Sequence, residues 1–166
     1  MILPVLQYPD PRLARVSLPI QEVTPEMREL AENMVETMYA RDGIGLAAPQ
    51  VGTAIRLVVL DVSGPDRRED LHILINPVLT ITGPEIESEE GCLSIADYRS
   101  TVCRSRRVHV KATDLDGNPV SFDAEDLLAI CIQHECDHLD GILFLDHISR
   151  LKRSMFDRKI KKRASK

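Results

Sequence analysis

Nothing in this chain approaches the run of about 18 apolar residues that a membrane-spanning helix requires, although 43% of its 166 residues are hydrophobic. A bilayer span is therefore not expected, and the balance fits one hydrophobic core in a single domain, residues 1–166. The opening stretch, residues 1–11, lacks a cationic patch and a long apolar segment and carries Pro4, Pro9 and Pro11. A secretory leader is thus not expected, and the cytoplasm is the expected compartment. Repeats and low-complexity tracts are absent. No Gly-Lys-Ser or Gly-Lys-Thr follows Gly43 and Gly45, and no strand pattern precedes them, which excludes a phosphate-binding loop. Cysteine is sparse: Cys92, Cys103, Cys131 and Cys136 are the whole complement. In a reducing compartment these are expected to be free thiols rather than two disulfides.

Charge is unevenly spread. The formal net charge is -5, yet residues 150–166 carry nine Lys or Arg against one acid, Asp157. That tail reads as a helix with Leu151, Met155, Phe156 and Ile160 near one face. It is either a solvated terminal helix or a contact for a polyanion such as ribosomal RNA.

Upstream, residues 25–41 read as a helix with Thr24 as N-cap and Pro25 in the first turn. Leu30, Met34, Val35 and Met38 form its inner stripe, and Gly43 is the expected left-handed C-cap, leaving 43–50 as an ordered loop. Strands are expected over 55–62, 71–82, 85–94, 101–113 and 119–122, with Asp116-Gly117-Asn118 as a hairpin turn. A second helix is expected over 123–140. At roughly 100° per residue, Leu127, Cys131, His134 and His138 share one face, with Leu128, Ile132, Cys136 and Leu139 on the adjoining arc. Only Asp126, Gln133, Asp137 and Asp140 are left for solvent, so this helix should be largely buried. The expected fold class is α+β: antiparallel β-sheets packed around a central metal-binding helix, with an N-terminal and a C-terminal helix.

That central helix carries His134-Glu135-Cys136-Asp137-His138, the H-E-x-x-H pattern. Two imidazoles one turn apart can chelate a cation, and the intervening carboxylate can take a proton from water activated by it. A third ligand must come from elsewhere. Gly141 fits the longer H-E-x-x-H-x-x-G pattern, but Phe144 stands where one protease class has a third histidine. No glutamate follows Glu135, and His147 is out of register. Upstream lies Glu90-Gly91-Cys92-Leu93-Ser94, and a Cys92 thiolate would complete a Cys-His-His set with an open fourth position.

Together with Gly43-Ile44-Gly45-Leu46-Ala47-Ala48-Pro49-Gln50 and the segment from Gln133 to Gly141, this motif resembles the peptide deformylases, and all three motifs occur in order. The similarity covers nearly the whole chain, including Ile75-Asn76-Pro77. It implies an enzyme that removes formyl from N-formylmethionyl peptides of newly made proteins and releases formate. It further implies one divalent metal ion held by Cys92, His134 and His138, typically Fe(II), although zinc, nickel and cobalt accept the same ligands. Glu135 is then the general base, with the Gln50 amide and the backbone N–H of Leu93 as donors to the developing oxyanion. Ile44, Leu127, Ile130 and Cys131 are implied to line a methionine pocket. Backbone around Ile44, Gly45 and Gly91 would pair with the peptide as an added strand, and Arg99 would face it. Glu90 and Arg104 match an ion pair bracing the cysteine segment. Two departures stand out: Ala96 where the family usually has proline, and Ser88 where it often has an apolar residue near the pocket. His72 and His109 read as ordinary surface or strand residues, and Cys103 as a small strand hydrophobe. Neither DNA nor a membrane is an expected partner; the ribosome is one through the basic tail. Two rivals share parts of the pattern: a metallopeptidase cutting internal bonds, which lacks its usual third ligand here, and a zinc-stapled RNA-binding module, which would need four ligands.

Overall fold

The Thr24 hydroxyl accepts from the Met27 N–H at 3.3 Å and Pro25 takes the first turn, so α1 begins where its first free N–H groups find a partner and runs Pro25–Ala40. It ends in a paired-bond cap, Gly43 N to Met38 O at 2.9 Å and Asp42 N to Tyr39 O at 3.1 Å. The left-handed residue is Asp42 (φ 55), not the expected Gly43. A short polar side chain tolerates that conformation, so the cap falls one residue earlier. This computed structural model describes residues 1–165; Lys166, the last base of the charged tail, lies outside them.

The segment 43–50, expected as a loop, instead forms strand β1 (Gly45–Ala47) and a 3-10 turn (Ala48–Val51). β2 (Leu57–Leu60), β3 (His72–Ile81), β6 (Arg107–Thr113) and β7 (Pro119–Glu125) complete an antiparallel sheet in the order β1-β2-β3-β6-β7. β4 (Glu85–Cys92) and β5 (Ile95–Ser105) make a separate antiparallel hairpin. The expected single strand over 101–113 is thus two strands in two sheets, parted at Arg106. The break is held by Gln133, which was expected to face solvent. Its Oε1 accepts from Ser105 N at 2.9 Å and its Nε2 donates to Ser105 O at 2.7 Å, so a side-chain amide replaces the missing strand partner.

Both faces of the larger sheet are covered, which explains the unbroken apolar run Leu57-Val58-Val59-Leu60. Leu57 and Val59 pack with Met34 and Met38 of α1, while Val58 and Leu60 pack with Ile132 and Leu139 of α2 (Asp126–Leu139). The expected start of α2 at 123 is too early, because residues 123–125 still pair with β6. Its end is a second paired-bond cap, Ile142 N to Asp137 O and Gly141 N to His138 O, with Gly141 left-handed at φ 73. A Cβ there would lie 2.4 Å from the Ala14 carbonyl oxygen, so glycine is required on two counts.

A third cluster joins the β4–β5 hairpin to α3 (Arg150–Ala164) through Ile95, Val102, Phe144 and Phe156. Here the expected apolar stripe divides. Phe156 is buried and Ile160 half-buried, but Leu151 and Met155 face outward. Cys103, expected to pack on its strand, is also exposed, and all four cysteines are free thiols. The fold is α+β, with antiparallel sheets around a central helix and helices near both ends, as anticipated. Among the described residues no helix is long and apolar enough to cross a membrane.

Candidate active site

Residues four apart on α2 place the His134 and His138 rings 5.1 Å apart, edge to face. Cys92, the last residue of β4, pairs with Ile95 across the tight hairpin after a register shift between Glu90 and Cys92. That irregularity swings its sulfur toward α2, where Sγ lies 3.3 Å from His138 Nε2. Ligand atoms of Cys92, His134 and His138 all fall within 4.8 Å of one another, the only such His/Cys/Asp/Glu group among the described residues. The Cys92 segment, remote in sequence, is thus brought to the histidine pair.

The donors suit a cation. Burial holds the His138 imidazole well below its usual range, leaving a neutral ring with a lone pair to give. Burial also opposes a proton on His134, but Cys92 and Glu90 as acceptors outweigh it and raise that ring. The acceptors Cys92 and Glu90 therefore favour positive charge at His134. His134 Nδ1 is engaged by Glu90 Oε1 at 2.9 Å, which fixes the ring and frees Nε2 for the centre.

Glu90 is itself clamped. Arg104 Nε and Nη2 each reach its carboxylate at 2.9 Å, and Arg104 Nη1 reaches Asp137 Oδ2 at 2.6 Å. Burial raises the Glu90 carboxyl, yet hydrogen bonds from His134 and Arg104 win and hold it at about 2. With Glu90 and Arg104 only 6% and 5% exposed, this is an internal bidentate pair rather than a surface one. The sequence reading missed Asp137, assigned to the solvent wedge; it receives Arg104 on one side and His147 at 2.9 Å on the other.

Glu135 lies beside this group with Oε2 unpartnered, and burial raises its carboxyl to about 7. Space for it exists because residue 45 is glycine. A Cβ on Gly45 would sit 2.6 Å from Glu135 Oε1 and 2.9 Å from Cys131 Sγ. Gln50 is 1% exposed and fully engaged by protein groups. Its Oε1 accepts from Ala47 N at 2.9 Å and caps its own turn, which turns Nε2 toward Cys92 Sγ (3.5 Å) and Ser94 Oγ (3.1 Å). Ser94 stood in the cysteine motif without a role; it is what aims Gln50.

These groups floor a cleft of about 840 Å³ whose walls include Ile44, Leu127, Ile130, Cys131, Gly91 and Leu93. Cys131 Sγ lies 3.5 Å from Ile44 O, joining α2 to the segment before β1, and Leu127 is half-exposed at the mouth. Arg99 lies on the rim against Glu89. Phe144, in place of a third histidine, is buried 6.2 Å from the His134 ring and closes that side.

Hydrolysis assisted by a metal is the chemistry that a thiolate, two imidazoles and an unpaired buried carboxylate can perform together at the floor of a cleft. The chain belongs to the polypeptide deformylase family, whose profile matches residues 2–154. The peptide deformylase of Legionella pneumophila is 41% identical, with a TM-score of 0.92 over 99% of this chain and 96% of that one. That of Ehrlichia chaffeensis in complex with actinonin is 37% identical, TM-score 0.89, over 98% and 97% of the two chains. Peptide deformylase 1B of Arabidopsis thaliana is 32% identical, TM-score 0.90, over 98% and 93%. The protein is accordingly a metal-dependent hydrolase acting on N-formylmethionyl peptides of newly made proteins.

Proposed function

We propose that Cys92, His134 and His138 hold the metal, that Glu135 carries the proton, and that Gln50 and the backbone N–H of Leu93 stabilise the oxyanion. The observation that carries this reading is the unpartnered carboxylate of Glu135 buried beside the Cys-His-His group. A divalent cation bound there supplies Lewis acidity to the formyl oxygen and makes water more acidic. Glu135 accepts a proton from the attacking water as its oxygen bonds to the formyl carbon. Gln50 Nε2 and the Leu93 N–H donate to the former carbonyl oxygen as it gains negative charge. Glu135 then returns the proton to the amide nitrogen, the C–N bond breaks, and formate leaves a free amino terminus. Burial raises the Glu135 carboxyl to about 7, the direction needed by a group that takes and then gives a proton near neutrality.

Ile44, Leu127, Ile130 and Cys131 receive the methionine side chain, an unbranched thioether suited to an apolar slot. The backbone of Gly45 and Gly91 pairs with the peptide, and Arg99 faces the residues beyond the methionine. Supporting this, β1 and β4 each have a strand partner on one side only, and both border the cleft. Residues 1–166 work as one catalytic domain with 150–166 as its basic tail, in the cytoplasm. Fe(II) is the proposed native ion because it is the family's usual one; one thiolate with two imidazoles also accepts zinc, nickel or cobalt and does not by itself choose among them. Metal analysis of anaerobically purified protein, with activity restored ion by ion, tests it.

Glu135→Ala is the decisive variant. It should lower turnover by roughly 10²- to 10⁴-fold while metal content stays at the wild-type level. Wild-type deformylation by this variant would remove Glu135 from the mechanism.

The basic helix α3 is the proposed ribosome contact. Its Lys159, Lys161 and Lys162 are exposed, whereas Phe156 is a core residue, so charge reversal is a cleaner probe than truncation. Cosedimentation with ribosomes should weaken in K159E/K161E/K162E and with added salt. Undiminished binding by the triple variant would end the idea.

A further inference from the structure

One wall of the cleft breaks the apolar pattern of the side-chain pocket. Along β4 the residues alternate, with Glu85, Glu87 and Glu89 exposed and Ile86, Ser88 and Glu90 turned inward. Glu90 on that inner face meets His134 of α2 at 2.9 Å. Ser88, on the same inner face of the strand, lines the cleft that Ile130 and Leu127 of α2 also border. The side-chain polar bonds of this strand run through Glu89, Glu90 and Cys92; among the described residues none involves the Ser88 hydroxyl. A half-buried hydroxyl with no partner among the described residues thus opens onto the cleft that Ile44, Leu127, Ile130 and Cys131 also line.

We infer that Ser88 is a specificity determinant that lets this pocket take methionine sulfoxide as well as methionine at the formylated residue. Oxidation adds one strongly accepting oxygen to the thioether. In an all-apolar slot that oxygen would be stripped of water with nothing in return, whereas the Ser88 O–H can donate to it. The hydrolytic step is unchanged, and the same formate and free amine result. The inference rests on the pocket assignment proposed above.

The test compares kcat/KM for a formylmethionyl and a formyl-(methionine sulfoxide) tripeptide in the metal-loaded enzyme, read as a ratio so that changes in overall activity cancel. Ser88→Thr and Ser88→Val have nearly the same shape and differ by hydroxyl against methyl. Both suit a strand. The wild type and Ser88→Thr should discriminate against the sulfoxide by no more than about tenfold, and Ser88→Val by a further factor of about ten. Ile130→Ala reports on the pocket itself and should lower the preference for formylmethionyl over formylalanyl peptide. Equal ratios in the Thr and Val variants, with Ile130→Ala still shifting its preference, would overturn the role of Ser88 and leave the pocket standing. No shift in Ile130→Ala would overturn the pocket assignment and this inference with it.

Discussion

Arg104→Ala is expected to damage this protein far more than the loss of an ordinary ion pair. Arg104 donates twice to Glu90, both at 2.9 Å, and once to Asp137 at 2.6 Å. Truncation leaves a carboxylate that is 6% exposed with His134 as its one remaining side-chain partner. Breaking a buried pair in this way costs about 3–5 kcal/mol, because the surviving charge is uncompensated. An exposed pair would cost at most about 1 kcal/mol. With a urea slope of about 2 kcal/mol/M, the unfolding midpoint should fall by roughly 1.5–2.5 M. Since Glu90 also fixes the His134 ring, metal affinity measured against a competing chelator should drop about 10- to 100-fold. Arg104→Met combined with Glu90→Gln removes both charges and should be less destabilising than Arg104→Ala alone. A loss below about 1 kcal/mol in Arg104→Ala would refute the reasoning, by placing the pair with those that solvent already screens.

Gly45→Ala should fold but lose much of its kcat/KM, since the added methyl would lie 2.6 Å from Glu135 Oε1 and must displace it or Cys131; full activity would show that the carboxylate does not need this position. Asp61→Asn tests a buried carboxylate outside the site, which accepts from Tyr39 Oη and Ser63 Oγ, both at 2.6 Å. Burial raises the Asp61 carboxyl, but these hydrogen bonds outweigh it and leave it below the usual value. A depressed folded value means the stabilisation is complete above the ordinary carboxylate range and disappears as pH falls through the folded value. Urea midpoints from pH 6 to pH 3 should therefore decline less steeply in Asp61→Asn, and an unchanged slope would count against the assignment.

Much of the frame was legible because it depends on neighbours in sequence. Thr24 and Pro25 mark the start of α1, and alternation marks β4. The spacing of His134 and His138 is a chelate on any helix. The residues misplaced by sequence reasoning share one property: their partners are distant. Gln133 looked like a solvent residue because the strand break it fills lies at Ser105. Asp137 looked like surface until Arg104 came back to meet it. Leu151 and Met155 share a helix face with Phe156, but only Phe156 finds a core, because the aromatic rings of Tyr8 and Tyr98 meet that arc alone.

The sequence by itself determined the chelating pair, the flanking carboxylate, the cysteine motif and the apolar helix that had to be buried, since each is a matter of periodicity along a few turns or strands. Only the tertiary structure decided that Cys92 sits 3.3 Å from His138, that Ser94 and Ala47 aim Gln50, and that Glu90, Arg104 and Asp137 join into one clamp behind His134. The reason is that a residue's own element sets the direction of its side chain, whereas what it meets is set by where the rest of the chain returns.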